Sequence, residues 1–198
     1  MPPAAVTEEP TGLVYRPELV SAEQEAELLA YLDRLDFREL VMHGRTARRT
    51  VRHFGFDYEY ASRGVRRGDP LPPELEDVRA RCADLAGHAS EELAQALVTR
   101  YPAGAGIGWH RDAPQFGEKI AGLSLGSACR MRFQRGTAGE RRVHELPLEP
   151  RSAYVMGGEA RYAWQHSIPA TKELRYSITF RTLRDPARDL HSAAGLFG

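Results

Sequence analysis

The sequence predicts a mainly β protein with buttressing helices, in the α+β class. Two helical patterns occupy the first half of the chain, and short β-type runs separated by glycine-containing turns follow from residue 95 onward. The 198 residues suffice for a single hydrophobic core. We therefore expect one domain over 13–198, a helix-buttressed β-sandwich or jelly roll whose core spans 95–184, and a disordered tail over 1–12.

The two helical patterns carry clear boundary signals. Ser21 is a favourable N-cap, and Gln24, three residues later, completes a capping-box pattern ahead of leucines at helical spacing. The second pattern runs from Pro73, which suits the first turn of a helix, to Gly87, which suits its end. Apolar residues recur along one face of each pattern, so we interpret both as packing helices without a chemical role.

The stretch 38–67 combines predicted strands, loops and positive charge. Residues 37–42 predict a strand, 43–49 a loop, the alternating aromatic residues of 54–60 a second strand, and 61–73 a further loop. Between 38 and 67, eight arginines stand against three acidic residues, a local charge of +5. A solvated basic face and a phosphate-contacting substrate lid both fit this composition. The lid hypothesis assigns substrate contacts to Arg48, Arg49, Arg52, Phe54, Phe56 and Tyr58.

The overall composition is that of an ordinary globular protein. The formal net charge is zero, which neither supports nor excludes a polyanionic partner, and all but two of the 27 basic residues are arginine, a bias that a GC-rich genome explains. Cys82 and Cys129 lack metal-type spacing, so we interpret both as reduced core residues. No apolar run reaches the ~18 residues of a membrane span, and residues 1–12 lack the features of a secretory signal. We expect a cytoplasmic monomer without a membrane partner.

The predicted β core consists of six short runs. Each contains apolar residues in alternation or in a short block, and turn-forming or charged residues bound it. The runs span residues 96–101, 120–125, 130–134, 142–148, 152–156 and 175–183.

The first candidate chemical motif, His110-x-Asp112, follows the first of these runs and a turn rich in Gly and Pro. On an extended backbone, side chains two residues apart project from the same face, so one imidazole and one carboxylate could reach a single metal ion. The motif alone is weak, because a chain with seven His and nine Asp supplies about 0.3 such pairs by chance. A further ligand is needed.

His166 supplies the candidate third ligand, late in the series of runs. Two imidazoles and one carboxylate, with open positions left on the metal, form the ligand set of non-haem Fe(II) oxygenases. Zinc also accepts His and Asp, but a zinc site would not account for the arginines of the last run.

The predicted strand 175–183 has two distinct faces. Tyr176 and the apolar residues at every second position after it form a packing face, whereas the other face carries Arg175, Arg181 and two hydroxyl residues between them. If that second face lines an interior, its guanidinium groups need anionic partners, and a dicarboxylate would satisfy them. Since the two Cα atoms would lie about 20 Å apart on an ideal strand, Arg175 and Arg181 should serve different ends of a pocket.

The order of these residues resembles that of the AlkB-like family of Fe(II)/2-oxoglutarate dioxygenases. The likeness covers most of 13–184 and is strongest from residue 97 onward, in the runs Gly-Trp-His-Arg-Asp, Leu-Ser-Leu-Gly and Arg-Tyr-Ser-Ile-Thr-Phe-Arg. The resemblance implies a double-stranded β-helix (jelly roll) that uses Fe(II), 2-oxoglutarate and O2. It implies that the catalytic iron ligands are His110, Asp112 and His166.

The resemblance also implies a co-substrate site. Tyr101 and Arg175 match residues that hold 2-oxoglutarate, with Arg175 on the distal carboxylate and Arg181 nearer the iron. Two positions depart from the family pattern, because Thr99 and Ser177 stand where members often carry Asn. Each supplies one hydroxyl in place of an amide, which leaves hydrogen bonding to the co-substrate possible and the substrate preference open.

By resemblance, the expected function is oxidative dealkylation of N-alkylated nucleic-acid bases, in repair or RNA modification. Such a reaction consumes O2 and 2-oxoglutarate and releases succinate, CO2 and formaldehyde, and its DNA or RNA substrate presents a base flipped out of its stack. The sequence leaves two alternatives open. One is the same oxygenase chemistry on a protein side chain or a small metabolite, and the other is a binding module that has lost turnover.

Overall fold

The computed structural model describes residues 6–42, 45–59, 64–137 and 140–184, and it confirms a mainly β fold with buttressing helices. The helices are α1 (Ala22–Leu32), α2 (Glu76–Ala86) and α3 (Gly158–Tyr162). The strands are β1 (Val6–Thr7), β2 (Leu13–Arg16), β3 (Arg38–Met42), β4 (Arg45–Phe54), β5 (Phe56–Glu59), β6 (Gly64–Arg67), β7 (Gln95–Tyr101), β8 (Ile107–His110), β9 (Phe116–Gly126), β10 (Cys129–Arg135), β11 (Arg142–Leu148), β12 (Ala153–Met156), β13 (Gln165–Ile168) and β14 (Arg175–Leu183).

Two sheets face each other and form the jelly-roll core. The major sheet has seven strands in the order β2-β12-β9-β14-β7-β4-β3, and the minor sheet has five in the order β1-β11-β10-β13-β8. β5 and β6 form a separate two-stranded sheet. Strands far apart in sequence are therefore neighbours in space, which lets residues from β7, β8, β13 and β14 meet between the sheets.

The hydrophobic core has two layers. In one layer α1 and α2 pack on the outer face of the major sheet, where Leu32 and Cys82 meet Tyr176 and its apolar successors on β14. In the other layer the two sheets pack on each other around Phe133 and Trp164. The predicted packing face of β14 is thereby confirmed, and its opposite face is left to line the space between the sheets.

Both predicted helices are confirmed with their boundary signals. Ser21 caps α1, and its side chain and that of Gln24 exchange the two hydrogen bonds of a capping box. A 3-10 turn over Pro73–Leu75 leads into α2, and Gly87 ends that helix in the left-handed conformation, with φ +69°.

The prediction for 43–73 was wrong in three respects. Residues 45–49, predicted as a loop, belong to the long strand β4, and β6 lies within the second predicted loop. The single aromatic strand predicted over 54–60 is broken at Gly55, whose φ is +77°. A Cβ atom at that position would lie 2.0 Å from the Ala94 carbonyl oxygen, so only glycine fits. Residues 43–44 and 60–63 lie outside the described residues.

The predicted disordered tail over 1–12 was wrong from residue 6 onward. β1 pairs in parallel with the start of β11, and the Glu8 carboxylate forms ion pairs with Arg135 and Arg142. Backbone pairing and charge compensation therefore order this segment, although its composition carries no strand signal. Residues 1–5 and 185–198 lie outside the described residues. Among those described, no helix is both long enough and apolar enough to span a membrane.

Candidate active site

A cavity of about 460 Å³ opens between the two sheets. Its lining includes the inner faces of β7 and β14 from the major sheet and residues of β8 and β13 from the minor sheet. The volume lies in the range of pockets that enclose small organic ligands. All eight residues that the sequence analysis assigned to metal or co-substrate line it, namely Thr99, Tyr101, His110, Asp112, His166, Arg175, Ser177 and Arg181.

His110, Asp112 and His166, hereafter the triad, converge at one point of this cavity. β8 ends at His110 and pairs with β13, so that His110 stands directly opposite His166, and Asp112 follows in the loop after β8. One ligand atom from each residue lies within 4.8 Å of the other two. The two imidazole rings are 4.2 Å apart between centroids, and His166 Nε2 lies 3.5 Å from Asp112 Oδ2.

Neighbouring groups orient the triad for a cation. Arg181 Nη2 donates to Asp112 Oδ1 at 2.6 Å, which leaves Oδ2 directed at the imidazoles. His110 Nδ1 lies 2.8 Å from the Gly108 carbonyl oxygen and donates to it, so Nε2 carries the free lone pair. These partners fix which atom of each side chain is presented.

The electrostatics of the triad favour the protonation states that metal binding needs. Burial acts to raise the pKa of Asp112, but the Arg181 guanidinium and the two imidazoles outweigh it and hold that pKa at about 2. Burial lowers the pKa of His166 to about 4, against the opposing attraction of Asp112. At neutral pH the carboxylate is therefore ionised and the His166 imidazole neutral, the forms that coordinate a cation.

Arg161 holds the loop that carries Asp112, and no motif marked it in the sequence. This buried arginine of α3 donates from Nη1 to the Asp112 carbonyl oxygen at 3.1 Å and from Nη2 to the Ala113 carbonyl oxygen at 2.9 Å. A third contact reaches the Phe116 carbonyl oxygen at 3.4 Å. Because three backbone groups share one guanidinium, Arg161 fixes the path of the chain between β8 and β9.

Arg175 provides an anion-binding group at the other end of the cavity. Its side chain is buried, its Nε donates to Ser124 Oγ at 3.0 Å, and its guanidinium lies over the Tyr101 ring at 5.1 Å from the centroid. Its Nη1 is buried without a hydrogen-bond partner among the described residues. A buried guanidinium with an unmet donor is costly unless an anion completes it, so this end of the cavity suits a carboxylate.

The contacts of Arg181 differ from those of Arg175. Besides Asp112, it donates from Nη1 to Gln95 Oε1 at 3.1 Å, and its guanidinium lies 4.5 Å from the centroid of the Phe116 ring. The two arginines of β14 thus stand at opposite ends of the cavity, one beside the triad and one beside Tyr101. Thr99 and Ser177 face each other across β7 and β14 between these ends, and both are buried.

The residues present fit both groups that the resemblance implies. Two imidazoles and a carboxylate converge with the donor set of non-haem Fe(II), and the unmet Arg175 donor lies in the same cavity. A dicarboxylate that reaches from Arg175 to a cation held by the triad would meet a positive charge at each end.

The predicted substrate residues separate onto the two faces of β4. Of the five whose side chains the structure describes, only Arg49 lines the cavity, where it is buried beside Val51 and His53. Arg52 pairs with Asp69 and lies over the Phe54 ring, and Phe54 belongs to the core beneath the helices. Alternation along β4 turns both side chains away from the cavity, so neither contacts a ligand bound there.

The three remaining substrate predictions have different outcomes. Arg48 is exposed and Phe56 half-buried, and neither lines the cavity. Tyr58 lies on β5, and its side chain is outside the described residues. The cavity wall that the sequence analysis missed is instead apolar and consists of Leu40, Val51 and Leu97.

Comparison with known proteins agrees with this geometry. Residues 12–181 match the family model described as the 2OG-Fe(II) oxygenase superfamily. The tRNA (carboxymethyluridine(34)-5-O)-methyltransferase ALKBH8 of Mus musculus is 32% identical over 173 residues, which cover 82% of this chain and 25% of that protein. The alkylated DNA repair protein ALKBH8 homolog of Arabidopsis thaliana is 33% identical over 184 residues, which cover 81% of this chain and 51% of that protein.

A bacterial relative and a solved structure extend the likeness. The alpha-ketoglutarate-dependent dioxygenase AlkB of Salmonella typhimurium is 33% identical over 124 residues, 56% of this chain and 55% of that protein. The chain thus spans between a quarter and just over half of these relatives. The structure of OsALKBH1 has a TM-score of 0.62 at 13% identity, covers 88% of this chain and 99% of that one, and shows the same fold. The chain belongs to the 2OG-Fe(II) oxygenase superfamily, as one of its AlkB-like members.

Proposed function

We propose that this protein is an Fe(II)/2-oxoglutarate dioxygenase that oxidatively removes alkyl groups from the nitrogens of nucleic-acid bases. One observation carries the oxygenase assignment. A triad of two imidazoles and a carboxylate faces the same cavity as a buried arginine with an unmet donor. The triad is suited to hold the metal, and Arg175 is suited to hold the far carboxylate of the co-substrate.

The chemistry divides between the bound groups and the protein. When bound, iron, O2 and 2-oxoglutarate together supply oxidation of a substrate C–H bond, with succinate and CO2 as co-products. The protein's residues bind and orient. His110, Asp112 and His166 present one ligand atom each, Arg181 holds the Asp112 carboxylate in place, and Arg175 fixes the co-substrate.

The apolar wall of the cavity supports a nucleobase as substrate. Leu40, Val51 and Leu97 form an apolar surface beside Arg49 and His53. An apolar wall suits a flat base that has left its stack, and the nearby arginine suits its phosphate. The names of the relatives point the same way, since one acts on tRNA and another on alkylated DNA. A role in DNA repair, as opposed to RNA modification, and a cytoplasmic site of action belong to this proposal.

The alternative, the same chemistry on a protein side chain or a metabolite, is separated by a direct assay. The protein is incubated with Fe(II), 2-oxoglutarate and air together with methylated DNA and RNA oligonucleotides, tRNA and methylated peptides, and the products are identified by mass spectrometry. We expect demethylated oligonucleotides or tRNA, with succinate formed in step, and no product from an Asp112→Ala variant. If only the peptides gave product, the substrate would be a protein side chain and the nucleic-acid assignment would be wrong. Absence of succinate from every substrate would contradict the enzyme itself and favour a binding module.

A further inference from the structure

Tyr154 faces the cavity from β12 and has no role in the site described so far. Its side chain is buried, with 6% exposure, and it lines the cavity together with Arg175 and Asp112. In the sequence it stands within an apolar run and carries no motif. A phenol buried at a polar cavity needs a hydrogen-bond partner, so a partner for the Tyr154 hydroxyl is expected within the cavity.

Gly122 makes room for the Tyr154 ring. The two residues are register partners across β12 and β9. A Cβ atom at position 122 would lie 2.4 Å from Tyr154 Cζ and 2.6 Å from its Oη, so the ring lies across the bare backbone of β9. This path carries the hydroxyl over β9 to β14, where Thr179 is the register partner of Gly122 and its side chain acts to lower the pKa of the phenol.

The hydroxyl therefore stands between the two arginines of β14. Thr179 lies on the same face as Arg175 and Arg181, and the charges of both Arg175 and Asp112 act on the Tyr154 phenol. Burial raises the pKa of Tyr154 to about 12, so the phenol keeps its proton at neutral pH and is available as a donor.

The charges around the two arginines identify which end of the co-substrate the phenol serves. Arg175 and Arg181 each keep one buried nitrogen without a partner among the described residues, Nη1 and Nε respectively. The Arg181 guanidinium is already compensated by the Asp112 carboxylate, whereas Arg175 forms no ion pair within the described part of the chain. An anion in the cavity is therefore held at Arg175. We propose that Tyr154 is a co-substrate-binding residue whose phenolic hydroxyl donates a hydrogen bond to the carboxylate of 2-oxoglutarate that Arg175 holds. This assignment rests on the proposed function.

The test compares two 2-oxo acids that differ only at the end in question. 2-Oxoglutarate carries the distal carboxylate, and 2-oxobutyrate chelates a metal in the same way but lacks it. Dissociation constants are measured by calorimetry on the wild-type protein loaded with Mn(II), which binds without turnover, and on Tyr154→Phe. We expect the variant to bind 2-oxoglutarate about 10- to 100-fold more weakly, as for the loss of a hydrogen bond to a charged group, and 2-oxobutyrate within about twofold of wild type.

Tyr15→Phe is the matched control. Tyr15 is the register partner of Tyr154 on β2 and packs against the same inter-sheet core, but it does not line the cavity. We expect it to leave both constants unchanged. Equal weakening of both acids by Tyr154→Phe, or no weakening of either, would overturn the assignment. Failure of the wild-type protein to bind 2-oxoglutarate with Mn(II) would instead contradict the proposed function, so the two failures are distinguishable.

Discussion

The polar interior of the cavity and its apolar wall are built on different principles. In the interior, polar groups hold the charged side chains, as Arg181 holds Asp112 and Ser124 holds Arg175 Nε. The apolar wall consists of Leu40, Val51 and Leu97, on β3, β4 and β7, beside Arg49 and His53. A buried charge must be compensated, whereas an apolar wall needs only volume and shape. Substitutions in the interior should therefore cause large losses, and those at the apolar wall graded ones.

Removal of a triad ligand tests the interior most severely. We expect His110→Ala, Asp112→Ala and His166→Ala each to lower metal affinity by more than about 100-fold, because loss of even an outer partner of a ligand costs about 10- to 100-fold. Metal content after dialysis and succinate release with 2-oxoglutarate measure the effect. Unchanged succinate release by either His110→Ala or Asp112→Ala would remove the metal site from this cavity.

Replacement of Arg181 by Met leaves the Asp112 carboxylate buried without its main counter-charge. We expect the free energy of unfolding to fall by about 3–5 kcal/mol, as for a broken buried ion pair. Arg130→Met is the control, since Arg130 pairs with Glu145 on the exposed surface, and such pairs contribute at most about 1 kcal/mol. Urea unfolding at neutral pH measures both. Equal losses of unfolding free energy in the two variants would show that burial does not determine the cost of breaking an ion pair.

The same ion pair sets an acid dependence in the metal-free protein. The pKa of Asp112 is held at about 2, below its ordinary value of 3.8. A depressed carboxyl pKa stabilises the fold above the unfolded-state value, and this contribution is lost as pH falls from about 4 towards about 2. We expect Arg181→Met to flatten that part of the stability profile in urea unfolding at stepped pH. A profile as steep as that of the wild type would assign the dependence to other carboxylates.

Arg161 tests whether a residue outside the cavity wall still belongs to the interior. Arg161→Met removes the donors that hold the Asp112, Ala113 and Phe116 carbonyl groups. We expect metal affinity to fall by about 10-fold, while the affinity for 2-oxoglutarate at saturating Mn(II) stays within about twofold, because the loop positions a ligand and not the co-substrate. Loss of co-substrate affinity at saturating metal would indicate general disruption of the fold instead.

The interior was also the part that the sequence predicted well. Alternation along residues 175–183 separated a packing face from a second face, and the family resemblance placed that second face at the co-substrate; β14 is regular and buried on both sides, so the alternation holds. Tyr154 and Arg161 were missed because their surroundings arise only when distant strands meet. Tyr154 owes its place to Gly122, and Arg161 lies on a five-residue helix too short to show a pattern.

The apolar wall and the strands around it were predicted poorly for a local reason. Counting every second residue from 54 to 60 gave one aromatic face, but Gly55 takes a positive φ and ends β4 there. A single residue outside the β region of φ/ψ space changes the face of the strand to which all the following side chains point. The local positive charge was not informative either, because the presence of eight arginines in one stretch does not indicate which of their side chains point into the cavity. The pairing of β4 with β7 determines which face of β4 lines the cavity. That face carries Arg49 but neither Arg48 nor Arg52.

Arg49 and Arg52 give the finest test of the apolar wall and its surroundings, because they lie on opposite faces of the same strand. We expect Arg49→Gln to lower turnover of a methylated oligonucleotide about 10-fold and to reduce the slope of log affinity against log salt by about 1, as for one lost phosphate contact. Arg52→Gln should change turnover by less than about threefold. Equal losses of turnover in the two variants would indicate that nucleic acid binds a general basic surface and does not contact Arg49 in the cavity. If neither variant altered the salt slope, the substrate would not be a polyanion bound beside this wall, and a peptide or metabolite would fit the apolar wall better.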